Sequence, residues 1–272
     1  MQRRLDFRLP EDKELLSDEE PFSVDALDAF NFKQEIVEAF LDKRPPEKLL
    51  AAWQGGGQLP PGATGILAAN ELFAETQPLI ESLRQRLGAA EKIRQPISLQ
   101  IGDFRLEGEL PLFRGVGVVR CRPAKAKPAA HLRLWLEHLA LQLTGLPDAN
   151  ASQLIAEDGV WTFNAVPDAE KILKQLLEIY CLGLNKPLPF FPATAFAFVS
   201  EPSSRSKKSP ADLAQEKWEG DEFGDFNQGE SLDPYFNLCF RNVATPLDDE
   251  FEQLAKQIVG PLLQHQSEEP SP

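Results

Sequence analysis

Between Ile97 and Gly145 the spacing of apolar residues switches from a period of two to a helical period, so this stretch has to set a small sheet against a helix. ISLQI, Gly102-Asp103, FRLEGELPLF, the turn RGVG and VVRCR read as three strands of a meander joined by tight turns. Pro111 falls late in the second strand, where a residue without an N–H marks an edge or a bulge. After Pro128, HLRLWLEHLALQLTG carries Leu132, Trp135, Leu136, Leu139 and Leu143 on one helical face and stops at Gly145. That helix is expected to pack on the sheet.

Helical periodicity dominates on either side. Leu27, Phe30, Ile36, Val37, Phe40 and Leu41 define an amphipathic helix with Ser23 as its N-cap. A second helix around Lys48 to Trp53 ends in GGGQLPPGATG, which its glycines and prolines make a loop, and a third runs from Ile66 to Leu87 and closes at Gly88. Downstream, SQLIAE and VWTF around Asp158-Gly159 predict a hairpin with a type I′ turn. Asp168 is expected to cap a helix carrying Ile172, Leu173, Leu176 and Tyr180 and ending at Gly183. ATAFAFV reads as a strand, and residues 200 to 233 as a long polar surface excursion. Thr245, Pro246 and Asp248 start a last helix with Phe251, Leu254, Ile258 and Leu262 as its buried stripe, and the SEEPSP tail is expected to be disordered.

Composition limits what this fold can do. With 272 residues and 42% hydrophobic content the chain can bury a core, which excludes global disorder. The formal charge of −14 argues against coating duplex DNA through summed charge, so any nucleic-acid contact has to be local. Cys121, Cys181 and Cys239 form neither a CxxC zinc pair nor a disulfide framework, which fits a reducing cytoplasm. MQRRLDFRLPEDKELL lacks the apolar core of a secretory leader, and no apolar run approaches the roughly 18 residues of a membrane span. The mixed opening segment and the lack of a complete cofactor-binding unit suit a domain cut from a larger protein, with no cofactor expected.

One local charge feature stands out. From Ser98 to Arg133 there are seven cations, Arg105, Arg114, Arg120, Arg122, Lys125, Lys127 and Arg133, against Asp103, Glu107 and Glu109, a net +4 that leaves −18 on the rest. Such a patch attracts a DNA backbone without reading sequence; the competing reading is a solvated loop or a surface facing a partner's acids. The turn Phe113-Arg114-Gly115-Val116-Gly117 reads as an ordinary hairpin tip, with a wedge against a base pair as the sharper alternative. Trp135, His138 and His131 share a helix, but without a third ligand they read as packing residues. Glycines 55 to 57 and Gly62 to Gly65 precede no Lys-Ser/Thr and sit between helices, which excludes a phosphate-cradling loop.

The segments RRLDFRLP, DEEPFSVDAL, GGGQLPPGATG, LWLEHLALQLTG and GESLDPYFNLCFR, in that order, resemble the C-terminal part of RecC subunits of the bacterial RecBCD helicase-nuclease, exodeoxyribonuclease V. The resemblance spans nearly the whole chain. It implies an α/β (α+β) domain of the PD-(D/E)XK, restriction-endonuclease-like class, a mixed sheet flanked by helices, downstream of two helicase-like domains that this chain lacks. It also implies RecB and RecD subunits and a DNA double-strand end or fork as partners. On this reading residues 1–95 are a helical part, 96–200 the nuclease-like core, and 201–272 the surface excursion and last helix, all in one structural domain.

An active nuclease of that class needs a carboxylate at the end of one strand and, after a turn, an acid-x-lysine on the next, because two carboxylates seat the Mg²⁺ that polarises phosphate and activates water. Carried onto this chain, Gly108-Glu109-Leu110-Pro111 puts Pro111 at the first acid, and Val118-Val119-Arg120-Cys121-Arg122 puts Arg120 at the second acid and Arg122 at the lysine. Sliding the register brings Glu107 or Glu109 to the first position, yet Leu110 to Leu136 contains no Asp or Glu for the second. The expectation is a catalytically degenerate site that binds no metal, with Arg105, Arg114, Arg120, Arg122, Lys125, Lys127 and Arg133 as DNA or partner contacts. Three readings stay open: a non-catalytic subunit domain that guides DNA strands and holds partners, a metal-dependent nuclease with relocated ligands, and a pure scaffold.

Overall fold

The computed structural model describes residues 24–146, 151–200, 208–220 and 229–270 of the chain. Helix α1 (Ala26–Leu41) begins where the Asp25 carboxylate accepts a hydrogen bond from the Asp28 N–H at 2.7 Å; the cap expected at Ser23 lies outside the described residues. Phe32, Ile36, Val37 and Ala39 are its buried face, whereas Leu27 is exposed because the first turn runs past the core. Helices α2 (Pro46–Gly55) and α3 (Ala63–Leu87) flank the expected glycine-proline loop, and α3 stops at Gly88. Trp53 of α2 is buried between α1 and α3, with its indole N–H donating to Glu35 at 2.7 Å.

The three strands predicted as a meander fall into two sheets. β1 (Lys92–Ile101) and β2 (Phe104–Phe113) form an antiparallel two-stranded ribbon, and β3 (Val118–Arg122) joins a separate sheet of order β3-β4-β5-β6. In that sheet β3 runs parallel to β4 (Ser152–Ala156), β4 is antiparallel to β5 (Gly159–Phe163), and β5 is antiparallel to β6 (Gln266–Glu269). A single bridge links β2 to β3: the Phe113 N–H donates to the Gly117 carbonyl at 2.8 Å and the Gly117 N–H to the Phe113 carbonyl at 2.9 Å.

Pro111 explains the split. Because both main-chain groups of Phe113 point at β3, those of residue 111 do so too, alternate residues in a strand facing the same edge. An extended ladder would set Pro111 opposite Val119 and require a Pro111 N–H that does not exist. β2 therefore leaves β3 after one bridge, as an edge proline predicts. Gly117 closes the turn at φ 101°, and a Cβ there would lie 2.0 Å from the Ala151 carbonyl oxygen, so only glycine fits.

Helix α4 (Pro128–Gln142) crosses from β3 to β4 and packs on one face of the four-stranded sheet. Trp135, Leu139, Leu154, Trp161 and Phe163 share this core with Leu262 of α9 (Asp249–Gln264); Leu136, expected on the packed face, is 46% exposed. The opposite face, with Val119, Ile155 and Val160, packs under α1 and α3 through Ile36, Val37, Leu83 and Leu87. Burying each such side chain contributes roughly 1.5–3 kcal/mol. The four-residue stripe predicted for α9 is buried as read, with Asp248 as the cap.

Several local expectations give way to tertiary context. Glu157-Asp158 form the β4–β5 turn, but among the described residues Lys43 is the one non-glycine with positive φ, which rules out type I′. In α5 (Ala169–Gly183) Leu173 is buried while Tyr180 is exposed, and Asp168 makes no side-chain cap bond. ATAFAFV is helix α6 (Pro192–Val199), not a strand: Pro192 starts it, and the Glu230 carboxylate accepts from the Ala193 and Thr194 N–H groups at 3.0 and 2.7 Å. The polar stretch holds helix α7 (Pro210–Glu219), opened by a Ser209–Asp212 capping box, and α8 (Pro234–Phe240) follows. Phe191 then gathers Trp218, Phe236, Phe240 and Phe251 at centroid distances of 4.2 to 6.1 Å into a third core cluster. Nor does the tail hang free, since Gln266–Glu269 is β6 and Glu269 pairs with Arg86 at 2.6 Å.

Candidate functional site

The divergence of β2 from β3 opens a cleft of about 350 Å³, roofed by the second half of α1. Its wall includes Glu109 and Pro111 of β2, Val119, Arg120 and Cys121 of β3, Lys92 and Arg94 of β1, and Glu38 and Asp42 from α1. Pro111 and Arg120, which the resemblance would put at a nuclease's two acid positions, thus line one cavity.

No open cation faces that cavity at Arg120. Glu137, one helical turn after Arg133 on α4, takes the guanidinium in a two-pronged hydrogen bond, Nε to Oε2 at 2.8 Å and Nη2 to Oε1 at 2.5 Å. Arg133 reaches the same carboxylate at 3.3 Å. Glu137 is only 15% exposed, so this ion pair works in a medium drier than surface water. The acids of the cleft are also engaged: Asp42 with Lys92 at 2.6 Å, Glu109 with Arg94 at 3.8 Å, and Glu38 with the Gln34 amide at 3.2 Å. Among the described residues no group of three His, Cys, Asp or Glu side chains converges as a metal site. Burial pushes the Cys121 thiol up to about 12, which leaves it an unreactive packing group.

Arg122 sits outside the cleft. Its guanidinium lies 4.8 Å from the Phe30 ring centroid, and its Nε donates to the Lys125 carbonyl at 2.9 Å. Arg105 pairs with Glu107 at 2.5 Å, which takes that acid away from the β2 end, and Arg114 pairs with Glu91 at 3.2 Å. Asp158 accepts from the Ala126 N–H at 2.8 Å, fixing the loop between β3 and α4. The basic span is therefore met by Glu91, Glu137 and Asp158, acids that lie outside it in sequence. Lys125 and Lys127 are exposed and carry no ion pair among the described residues, and Arg133 is 71% exposed.

At the hairpin tip Phe113 is 5% exposed and belongs to the core beneath α1, and Val116, the residue flanked by glycines, is half-buried against the same cluster. His131 and His138 are both buried among the packing side chains of α4. His138 is fully buried with Nε2 2.9 Å from the Asn164 carbonyl and Nδ1 2.9 Å from the Ser152 hydroxyl, which fixes the neutral tautomer protonated at Nε2. Burial holds its pKa below the ordinary histidine value, and burial also takes His131 down to about 4 while Asp158 draws it partly back. What sequence reasoning missed is Glu137 as the Arg120 partner and α1 as the roof of the cleft. The seventeen-residue separation of Arg120 and Glu137 carries no periodic signal, though the acid is the first to end the acid-free run.

No helix among the described residues is long and apolar enough to cross a membrane. Residues 1–202 match the family model described as the RecC C-terminal domain. The chain is 31% identical over 206 residues to the RecBCD enzyme subunit RecC of Escherichia coli, an alignment covering 73% of this chain and 18% of that one. To the Mycobacterium tuberculosis subunit of the same name it is 27% identical over 232 residues, 81% of this chain and 20% of the relative. The Buchnera aphidicola subunit is 22% identical over 187 residues, 68% and 17% of the two lengths. The chain thus spans about a fifth of the length of these curated relatives. With the family model covering most of its length, the chain belongs to the RecC C-terminal domain family.

Proposed function

We propose that this domain is a non-catalytic, nuclease-like part of a RecC subunit, acting in the cytoplasm within a RecBCD complex, where it guides DNA strands from a double-strand end or fork and holds RecB and RecD. The nuclease-like core is centred on residues 96–200, between a helical part at 1–95 and the C-terminal 201–272. The order β2, turn, β3, α4 supports that reading, since it is the arrangement in which a PD-(D/E)XK enzyme carries its acids. One observation carries the loss of catalysis: the Arg120–Glu137 fork occupies the place where the second metal-binding acid would stand, across the cleft from Pro111. A divalent ion needs unpaired carboxylate oxygens, and a guanidinium there both repels the ion and consumes the nearest acid.

DNA contact falls to the cations left exposed: Lys125, Lys127 and Arg133 on the β3–α4 loop and α4, then Arg105 and Arg114 on the ribbon. The test is a gel shift with forked DNA at low and moderate salt, on the wild type and on Lys125→Glu/Lys127→Glu/Arg133→Glu. Wild-type binding should weaken steeply with salt, and the triple variant should lower the salt slope by about one per lost phosphate contact. A fork bound equally well by both proteins removes these residues from the DNA path. Arg120 and Arg122 are left untouched because charge reversal there strikes the fold.

A further inference from the structure

The β2–β3 cleft is a broken sheet as well as an emptied nuclease site. Gly117 directs its N–H and C=O at Phe113, so the trans peptides that follow turn the main-chain groups of Val118 and Arg120 toward β4 and those of Val119 and Cys121 into the cleft. β3 is the edge strand of its sheet, paired with β4 on one side, and the alternation turns the Val119 and Cys121 main-chain groups to its other side, toward the cleft. Pro111 keeps β2 from filling the gap. Unpaired edges are normally blunted or covered, because they template the addition of another strand.

From this edge we infer that the cleft binds an extended, uncharged polypeptide segment of a partner subunit, which pairs with β3 through Val119 and Cys121. This rests on the subunit role proposed above and names how the partner is held. The chemistry favours a peptide over a nucleic acid strand. At the rim Glu38, Asp42 and Glu109 face only Lys92 and Arg94, Arg120 being taken by Glu137, so a polyanion gains no net attraction, whereas a neutral backbone supplies the matching N–H and C=O groups. The lining also has apolar parts, Val37 and Leu41 from the α1 roof and Phe113 and Val119 from the strands, which would take every second side chain of a strand.

The test is amide hydrogen exchange on the full-length subunit carrying this domain, alone and co-purified with its partner subunits, for the wild type and Pro111→Val. Restoring an N–H at residue 111 lets β2 zip onto β3. In the free wild type the Val119 and Cys121 amides exchange fast; assembly should slow them by about tenfold or more. In Pro111→Val they should already be slow in the free subunit, and partner association should weaken by about tenfold or more. Fast exchange at both amides in an intact wild-type complex overturns the inference, as does a Pro111→Val subunit that closes its cleft and still assembles normally. A wild-type subunit that captures no partner at all sinks the subunit role itself, and this inference with it.

Discussion

At the scale of single residues, Arg120 and Glu137 define the character of the domain. A guanidinium 30% exposed and a carboxylate 15% exposed satisfy each other through two hydrogen bonds, and removing either leaves the other poorly solvated. Glu137→Ala also leaves Arg120 near Arg133 with no shared anion. It should cost about 1–3 kcal/mol in urea unfolding, below a fully buried pair because Arg120 is partly wetted. Arg120→Ala added to Glu137→Ala should recover part of that loss. The sequence placed Pro111, Arg120 and Arg122 on neighbouring strands, and the structure sets the first two in one cleft. The partner of Arg120 was hidden because a helix–strand contact seventeen residues apart depends on how α4 lies on the sheet.

Elements show the same division. Helices with strong periodicity, α3 and α9 above all, were legible over most of their length, because an amphipathic stripe is a local fact, although α3 starts at Ala63 rather than Ile66 and without a side-chain cap. α6 was not: ATAFAFV alternates as a strand would, and what makes it helical is Glu230 at its start and the aromatic cluster of Phe191 around it. β6 was missed for a related reason, since QSEE has no strand propensity and is held by β5, by Arg86 and by a bond of the Gln266 amide to His131 Nδ1 at 2.8 Å. That last contact makes the docking of α4 and β6 sensitive to acid. His131 has a folded pKa of about 4 against an ordinary 6.5, so between these values the unfolded chain binds more protons and stability falls as pH falls. The full loss is about 3 kcal/mol by linkage, and His138 shifts in the same direction. Unfolding curves across that pH window should show this slope, and His131→Gln should flatten it; an unchanged slope would assign acid sensitivity elsewhere.

For the whole molecule, an acidic chain of net −14 builds a mixed α/β fold whose central cleft is lined by ion-paired side chains. Long-range geometry decides this and composition does not. The +4 span visible in the sequence is reduced by acids that only the fold delivers, and the meander it predicts is cut in two by Pro111. The most direct test is to mix the purified chain with linear and forked DNA in Mg²⁺ or Mn²⁺, with and without EDTA, while following Mn²⁺ binding by electron paramagnetic resonance. No cleavage above the EDTA control and no saturable Mn²⁺ site are the outcomes that a cleft with ion-paired carboxylates demands. EDTA-sensitive cleavage, together with an ion held by carboxylates beside Pro111 and Arg120, would contradict it.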